Sequence, residues 1–305
     1  MSEPQIGIFA LGDASQSFLE FVLRSEGAAS QAVEAVANLN DLRKTIQEVN
    51  LVVGFRPELW RQVVPRDAPS DAQSFSVDLV GPDGYRVPAT QADIVIWLAA
   101  ASYDTVFDFA VKVVQRLSSV ATLAREVIGW AYRRNRDLTG FEDGTENPAL
   151  PSAFDIVYIP EGEPGAGGSI LLLQQWKHLT DQWMALDIAV QEKVIGRTKP
   201  DSIEFPEDRL PADSHVARTT LVENGQELDI FRRNTPYGSV SDHGTLFVGF
   251  AKQQHRLQRM LERMAGIPDG IRDALTRYTV PLTGSYYFIP ALSTLATLAS
   301  PTQES

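Results

Sequence analysis

The sequence contains no cysteine. That single absence removes disulfides, thiolate-ligated zinc, iron–sulfur clusters, covalently attached c-type haem and a thiol nucleophile, and it is compatible with a reducing cytoplasm. Histidine is scarce, with four in 305 residues. No two stand at His-x-x-x-His or a related spacing, so the pattern of a zinc site is missing. The longest apolar run, Ile94 to Ala101, falls far short of the roughly 20 residues that cross a bilayer, and no membrane association is expected. Cations are outnumbered, 27 Lys and Arg against 39 Asp and Glu, for a net charge of −12. Phosphate binding needs clustered Lys and Arg, so nucleic acid is not an expected partner. The start, Met-Ser-Glu-Pro-Gln, has neither a basic n-region nor a twin arginine, so no export signal is expected and the expected location is cytoplasmic. There is no Gly-x-Ser-x-Gly elbow and no Walker sequence. Gly165-Ala-Gly-Gly168 looks like a nucleotide loop, but it precedes an apolar strand-like run and not a helix, so the geometry that cradles phosphate is missing.

What is present is an ordinary globular composition, 44% hydrophobic and 22% charged, of a length suited to one large domain or two of about 150 residues. The patterning alternates β and α. Gln5 to Leu11, Leu51 to Phe55, Phe75 to Val80 and Asp93 to Ala100 read as strands. Ser30 to Asn50 reads as a helix with Val33, Val36, Leu39, Leu42 and Ile46 on one face. Thr105 to Ala121 reads as another, with Phe107, Phe109, Val111, Val114 and Leu117 supplying its apolar surface. The second half repeats this vocabulary: strands at Gly168 to Gln175, Asp229 to Arg233, Thr245 to Phe250 and Ser285 to Ile289, helices at Asp181 to Gly196 and Gln254 to Ala265. Leu51-Val-Val-Gly-Phe55 echoes Leu246-Phe-Val-Gly-Phe250. Together these suggest two similar α+β halves, 1–150 and 151–305. Between them, Glu142 to Gly168 is rich in proline and glycine and reads as a long connection of the kind that often carries function.

Three segments hold the candidate chemistry. Gly140-Phe-Glu-Asp-Gly-Thr-Glu-Asn-Pro148 surrounds an acid with glycines; it reads either as a surface turn capped by Asp143 and Asn147 or as backbone that approaches a flat cofactor closely. Ser214-His-Val-Ala-Arg218 carries His215, which on its own reads as a capping or surface residue, although a neutral imidazole is also the usual protein ligand of haem iron in peroxidases. Phe231-Arg-Arg-Asn-Thr-Pro-Tyr-Gly238 places Arg232 and Arg233 on opposite faces of a strand, with Asn234 back on the face of Arg232. His178 reads as a half-buried histidine near a strand end, His243 as a turn residue and His255 as solvated. A carboxylate, an imidazole and a guanidinium are what a haem peroxidase needs: an iron ligand on one side and an acid–base group with a fixed cation on the other.

In these segments the chain resembles the dye-decolourising peroxidases. Gly-Phe-x-Asp-Gly-Thr-x-Asn-Pro looks like that family's distal signature, Ser-His-Val-Ala-Arg like its haem-ligand segment, Phe-Arg-Arg-Asn-x-Pro-Tyr-Gly like its distal arginine segment, and Ile195-Gly-Arg-Thr-Lys199 like its segment near the haem propionates. The resemblance implies an α+β fold of two ferredoxin-like halves with antiparallel β-sheets, of the dimeric α/β-barrel type, with haem in the C-terminal half. It implies one haem b per chain, His215 as axial ligand of the iron, Asp143 as acid–base group, Arg232 as distal cation and Asn234 as a distal polar residue. Arg197 is then a propionate partner, and Glu142 and Thr145 lie beside the cofactor. Asp273 is a candidate hydrogen-bond partner of His215 by sequence order, one that would make the ligand more electron-rich. The implied reaction reduces hydrogen peroxide and oxidises dyes, phenols or other small organic donors through a ferryl state. The alternatives are a haem or porphyrin carrier with incidental peroxidase activity, or a chlorite-dismutase-like relative. An unperturbed Asp titrates near ~3.9 and a neighbouring arginine lowers it, so activity is expected to persist into acid. Glu146 and Glu204 read as solvated carboxylates, with a cation site such as manganese as the alternative. A homo-oligomer of the bacterial cytoplasmic branch is expected, and the short polar tail Ser300-Pro-Thr-Gln-Glu-Ser305 gives no reason to expect encapsulation.

Overall fold

The computed structural model describes residues 2–10, 13–45, 48–133, 136–223 and 225–299. Eight strands dominate it: β1 (Ser15–Leu23), β2 (Asn50–Phe55), β3 (Ile94–Ala100), β4 (Ala121–Trp130), β5 (Ser169–His178), β6 (Phe231–Gly238), β7 (His243–Ala251) and β8 (Ser285–Ile289). They form two four-stranded antiparallel arrays of the same topology, β4-β1-β3-β2 and β6-β7-β5-β8. The first reads fourth-first-third-second in sequence order, the ferredoxin-like arrangement. In the second, β5 and β7 are central and β6 and β8 lie outside them, so the same arrangement appears read from its other edge. The arrays join into a closed ring at two narrow seams. Each seam has a single registered pair, Gly129 with Tyr237 on one side and Phe55 with Phe288 on the other.

Alternation along each strand sorts its side chains between two cores. Phe18, Trp97, Val127, Leu171, Phe231 and Phe250 point inward and fill the barrel, with Trp97 stacked on Phe250 across the two arrays at 6.2 Å. Leu19, Ile96, Leu98, Leu172 and Phe247 point outward and are covered by helices. β3 is buried along its whole length, which is why its sequence is a continuous apolar run rather than an alternating one.

Several local expectations change for identifiable reasons. Gln5 to Leu11 is not a strand: Ile6–Phe9 is a 3-10 turn, and Leu11 lies outside the described residues. Gln5 meets β2 with its side chain instead of its backbone, accepting from Val53 N at 2.8 Å and donating to Val53 O at 2.9 Å. Of Phe75 to Val80 only Leu79–Val80 pairs, with Arg86–Val87. Ser30 to Asn50 splits into helices Ala29–Ala37 and Leu39–Thr45, and Ile46 lies outside the described residues. The helix Tyr103–Leu117 buries Val106, Phe109, Ala110, Val113 and Leu117, at the helical spacing of one face, while Phe107 and Val111 face solvent. Asp181 to Gly196 is two helices, Thr180–Met184 and Ile188–Ile195, the second ended by Gly196 in the left-handed region at φ 96°. The connection after Glu142 contains a helix, Leu150–Val157, begun by a proline in its first turn. Among the described residues no helix is long and apolar enough to cross a membrane, and residues Ser300–Ser305 lie outside them.

Candidate active site

The outer face of the second array carries a cavity with about 980 Å³ of unfilled space, counting the solvent at its mouth. Gln174, Trp176 and His178 of β5 and Phe247 of β7 form its back wall, and Val216, Met260, Met264 and Leu275 close it with apolar surface.

One side is built around His215. Ser214 has extended backbone and its hydroxyl accepts from Ala217 N at 3.3 Å, so the helix His215–Thr219 begins at the histidine itself. His215 Nδ1 lies 2.7 Å from Asp273 Oδ2. Asp273 is wholly buried, and its other oxygen accepts from Leu275 N at 2.9 Å, capping the turn Ala274–Arg277. The carboxylate therefore holds the proton on Nδ1. Nε2 is left without a protein partner among the described residues, on a histidine that lines the cavity.

The other side is the loop from Asp137 to Asn147. Gly144 turns it at φ +71°, where an added Cβ would press on the Asn147 amide. Asn234 donates to Asp143 twice, from its backbone N at 2.7 Å and from Nδ2 at 2.8 Å. Asn147 grips the backbone of Arg232 with both ends of its amide, donating to the carbonyl at 2.8 Å and accepting from the N–H at 2.9 Å. Arg232 and Asn234 share the cavity-facing side of β6, and the Arg232 guanidinium has no hydrogen-bonded protein partner among the described residues.

Burial raises the Asp143 carboxyl above the ordinary range, outweighing the Asn234 hydrogen bond and the charge of Arg232; the nearby Asp137 adds to the rise. This reverses the expectation that Arg232 holds Asp143 below its usual value. The surface Asp143 leaves exposed lies on cavity walls, where its charge is poorly solvated. Asp137 is raised by burial in the same way, although it accepts from Thr139 N at 2.7 Å and from the Thr139 hydroxyl. His178 is pushed down to about 4 by burial and by His243, so at neutral pH it is an uncharged ring, bonded through Nε2 to Thr245 Oγ1 at 2.9 Å.

Arg197 is buried at the cavity edge. It donates to Ser202 O at 3.0 Å, to Glu204 Oε2 at 2.6 Å and to Glu146. Glu146 and Glu204 are thus joined to one guanidinium rather than free in solvent. Among the described residues no cluster of three or more His, Asp and Glu is arranged to hold a metal ion. Glu142 and Thr145 are exposed residues on the cavity rim. His243 opens β7 and bonds Thr180 and Ser239, and exposed His255 bonds Glu223.

These residues fit haem. The cavity offers one imidazole whose free nitrogen is the electron-donating one, apolar walls for a flat macrocycle, an acid on the loop with a free cation beside it on β6, and a buried arginine at the edge. Sequence reasoning missed Asp137 and His178 as lining residues and Asn147 as the link between loop and strand. Asp137-x-Thr139 is a turn pattern, which signals a bend but not a cavity.

The family model for the Dyp-type peroxidase C-terminal domain matches residues 134–294. A dye-decolorizing peroxidase of Rhodococcus erythropolis is 33% identical over 90% of this chain and 82% of its own length, and one of Mycobacterium tuberculosis is 31% identical over 90% and 85%. DyPB from Rhodococcus jostii RHA1 superposes with a TM-score of 0.89 at 32% identity, covering 96% of this chain and 97% of the other. A variant of that protein described in complex with heme superposes at 0.88.

Proposed function

The chain belongs to the dye-decolorizing peroxidases and is a haem peroxidase, and from that premise we propose how its own residues divide the work. Haem, when bound, supplies the iron at which peroxide is reduced and the electrons of an organic donor are collected. His215 would hold the iron of the haem through Nε2, and Asp273 fixes the ring and its tautomer through Nδ1. Asp143 takes the proton from one peroxide oxygen and returns it to the other, the one that leaves as water. Arg232 stabilises the negative charge that grows as the O–O bond breaks. Asn234 aims Asp143, holding both its oxygens. Arg197 is the propionate partner, exchanging the Glu146 or Glu204 carboxylate for that of the cofactor, with Glu142 and Thr145 on the rim beside it.

Haem b, one per chain, belongs to this reading; with no cysteine the chain has no thiol to attach haem covalently. The division at 150/151 into two halves, a homo-oligomer, a cytoplasmic location and the bacterial cytoplasmic branch belong to the same reading. The observation that carries the reading is the Asp143–Asn234 and Asn147–Arg232 bonding, which holds an acid and an unpartnered guanidinium on the wall of the cavity that His215 also lines. A haem carrier needs the imidazole but has no use for the other two, so that alternative is not favoured.

The test is the absorption spectrum of haem-loaded protein before and after one equivalent of peroxide, in wild type and His215→Ala. A band that shifts on peroxide addition in wild type, with altered ligation in the variant, is expected. Haem binding with no peroxide response would favour the carrier, and a variant with wild-type ligation would remove His215.

A further inference from the structure

A second cleft adjoins the cavity on the far side of the loop, with about 1500 Å³ of unfilled space counting the solvent at its mouth. It opens at the seam where β4 and β6 pair only through Gly129 and Tyr237. Beyond that pair the strands part, and the gap exposes Trp130 on one lip and Arg232 to Pro236 on the other. Asp143, Gly144, Arg232 and Asn234 line both spaces, so they form the partition between them.

The cleft is cationic in a chain of net charge −12. Arg233 points into it from the face of β6 opposite Asn234, and among the described residues its side chain has neither a hydrogen bond nor an ion pair. Asp13 and Asp143 are the carboxylates close enough to act on it, and neither is in contact; burial depresses the guanidinium in spite of them. Arg133, stacked on the Tyr132 ring at 5.3 Å, adds a second cation. Arg136, also in the lining, is spent on the backbone carbonyls of Gly140, Lys199 and Pro200. Around these charges stand flat apolar surfaces: Trp130, which is 36% exposed, Tyr132 and Leu150. A poorly solvated guanidinium without a counterion is costly unless an anion completes it, and a planar fork beside aromatic faces suits a carboxylate carried on a ring.

We propose that this cleft binds aromatic carboxylates, with Arg233 on the carboxylate and Trp130 and Tyr132 against the ring, and that such acids, where they also carry a phenol, are reducing substrates of the enzyme. Only the second clause rests on the peroxidase reading. Reduction of one hydrogen peroxide to two waters takes two electrons and two protons, and each of two phenolic donors gives up one of each. The partition keeps the donor off the peroxide side while holding it one residue layer away.

The experiment uses haem-loaded protein and 4-hydroxy-3-methoxybenzoate, with its neutral methyl ester as control. Calorimetry without peroxide is expected to show saturable binding of the acid, weakened about tenfold in Arg233→Gln and less in Arg233→Lys, which keeps the charge. The haem absorption band should not move on binding. In turnover, the ratio of kcat/KM for acid over ester should fall about tenfold in Arg233→Gln. Failure of the acid to bind, equal loss for acid and ester, or a haem band that shifts because the carboxylate has entered the first cavity would each overturn the assignment. Normal calorimetry with no turnover of either donor would instead count against the donor role and the peroxidase reading, leaving the binding site standing.

Discussion

Replacing Asp273 by Asn probes the His215 side of the site with almost no change of shape. Asp273 serves two donors at once, His215 Nδ1 through Oδ2 at 2.7 Å and Leu275 N through Oδ1 at 2.9 Å. An asparagine has one oxygen. If it stays on Leu275, the NH2 group faces Nδ1 and favours the tautomer with the proton on Nε2, which cannot ligate iron. If it turns to His215, the buried Leu275 N–H meets another donor, at a cost of roughly 1–3 kcal/mol. Either way the ligand loses its charged partner, and loss of such partners typically weakens metal affinity by about 10–100-fold. The assay is a haem titration followed at the haem absorption band in wild type, Asp273→Asn, His215→Ala and the double variant. Affinity should drop by that factor in Asp273→Asn. His215→Ala should then cost less in the Asp273→Asn background than in wild type, because the two residues act as one unit. Wild-type affinity and spectrum in Asp273→Asn, or strictly additive losses, would refute the reasoning.

The other side of the cavity and the seam carry three more expectations. Because burial raises Asp143, its basic form is lost as pH falls through a value above the ordinary ~3.9; stopped-flow rates with peroxide should show an acid limb there that vanishes in Asp143→Asn, and a limb at or below ~3.9 would contradict the burial argument. Asn147→Ala removes two bonds to the Arg232 backbone, so denaturant titration should register about 1–3 kcal/mol of lost stability, along with a slower peroxide step; an unchanged midpoint and rate would show the grip to be dispensable. At Gly129 an added Cβ would overlap the Thr235 side chain, so Gly129→Ala should lower Tm by an amount equivalent to about 1–3 kcal/mol of overpacking, which differential scanning calorimetry can detect; no loss would mean the seam yields freely.

The parts of the molecule legible in the sequence are those where one residue type has one use. The β/α alternation and the echo of Leu51–Phe55 in Leu246–Phe250 correspond to β2 and β7, an outer strand of one array and a central strand of the other. Asp143, Arg232 and Asn234 stand out through their motifs, and they do meet on one wall. What stays hidden depends on distance through space. Asn147 and Arg232 are 85 positions apart, and nothing local in Asn-Pro distinguishes a cap from a clamp. His178 reads as a half-buried strand-end residue; that it faces a cavity follows from the packing of β5, not from its neighbours in sequence. The direction of the Asp143 shift runs against the sequence expectation because its arginine is visible in the sequence and its burial is not. The buried face of Tyr103–Leu117 differs from the expected one because Phe107 and Val111 are apolar yet outside, and hydrophobicity alone does not say which of two apolar stripes a sheet will cover.

The two single-pair seams set how the molecule comes apart. Within each array, strands share five or more registered pairs at every interface, whereas the ring is closed by one pair on each side. Amide protons inside an array are released only when many neighbours yield together, and those at Gly129–Tyr237 and Phe55–Phe288 need only a local parting. Native hydrogen exchange should therefore show two slowly exchanging blocks with faster lines between them, and a ligand in the gap beside Gly129 should slow one of those lines; uniform protection across the seams would contradict this.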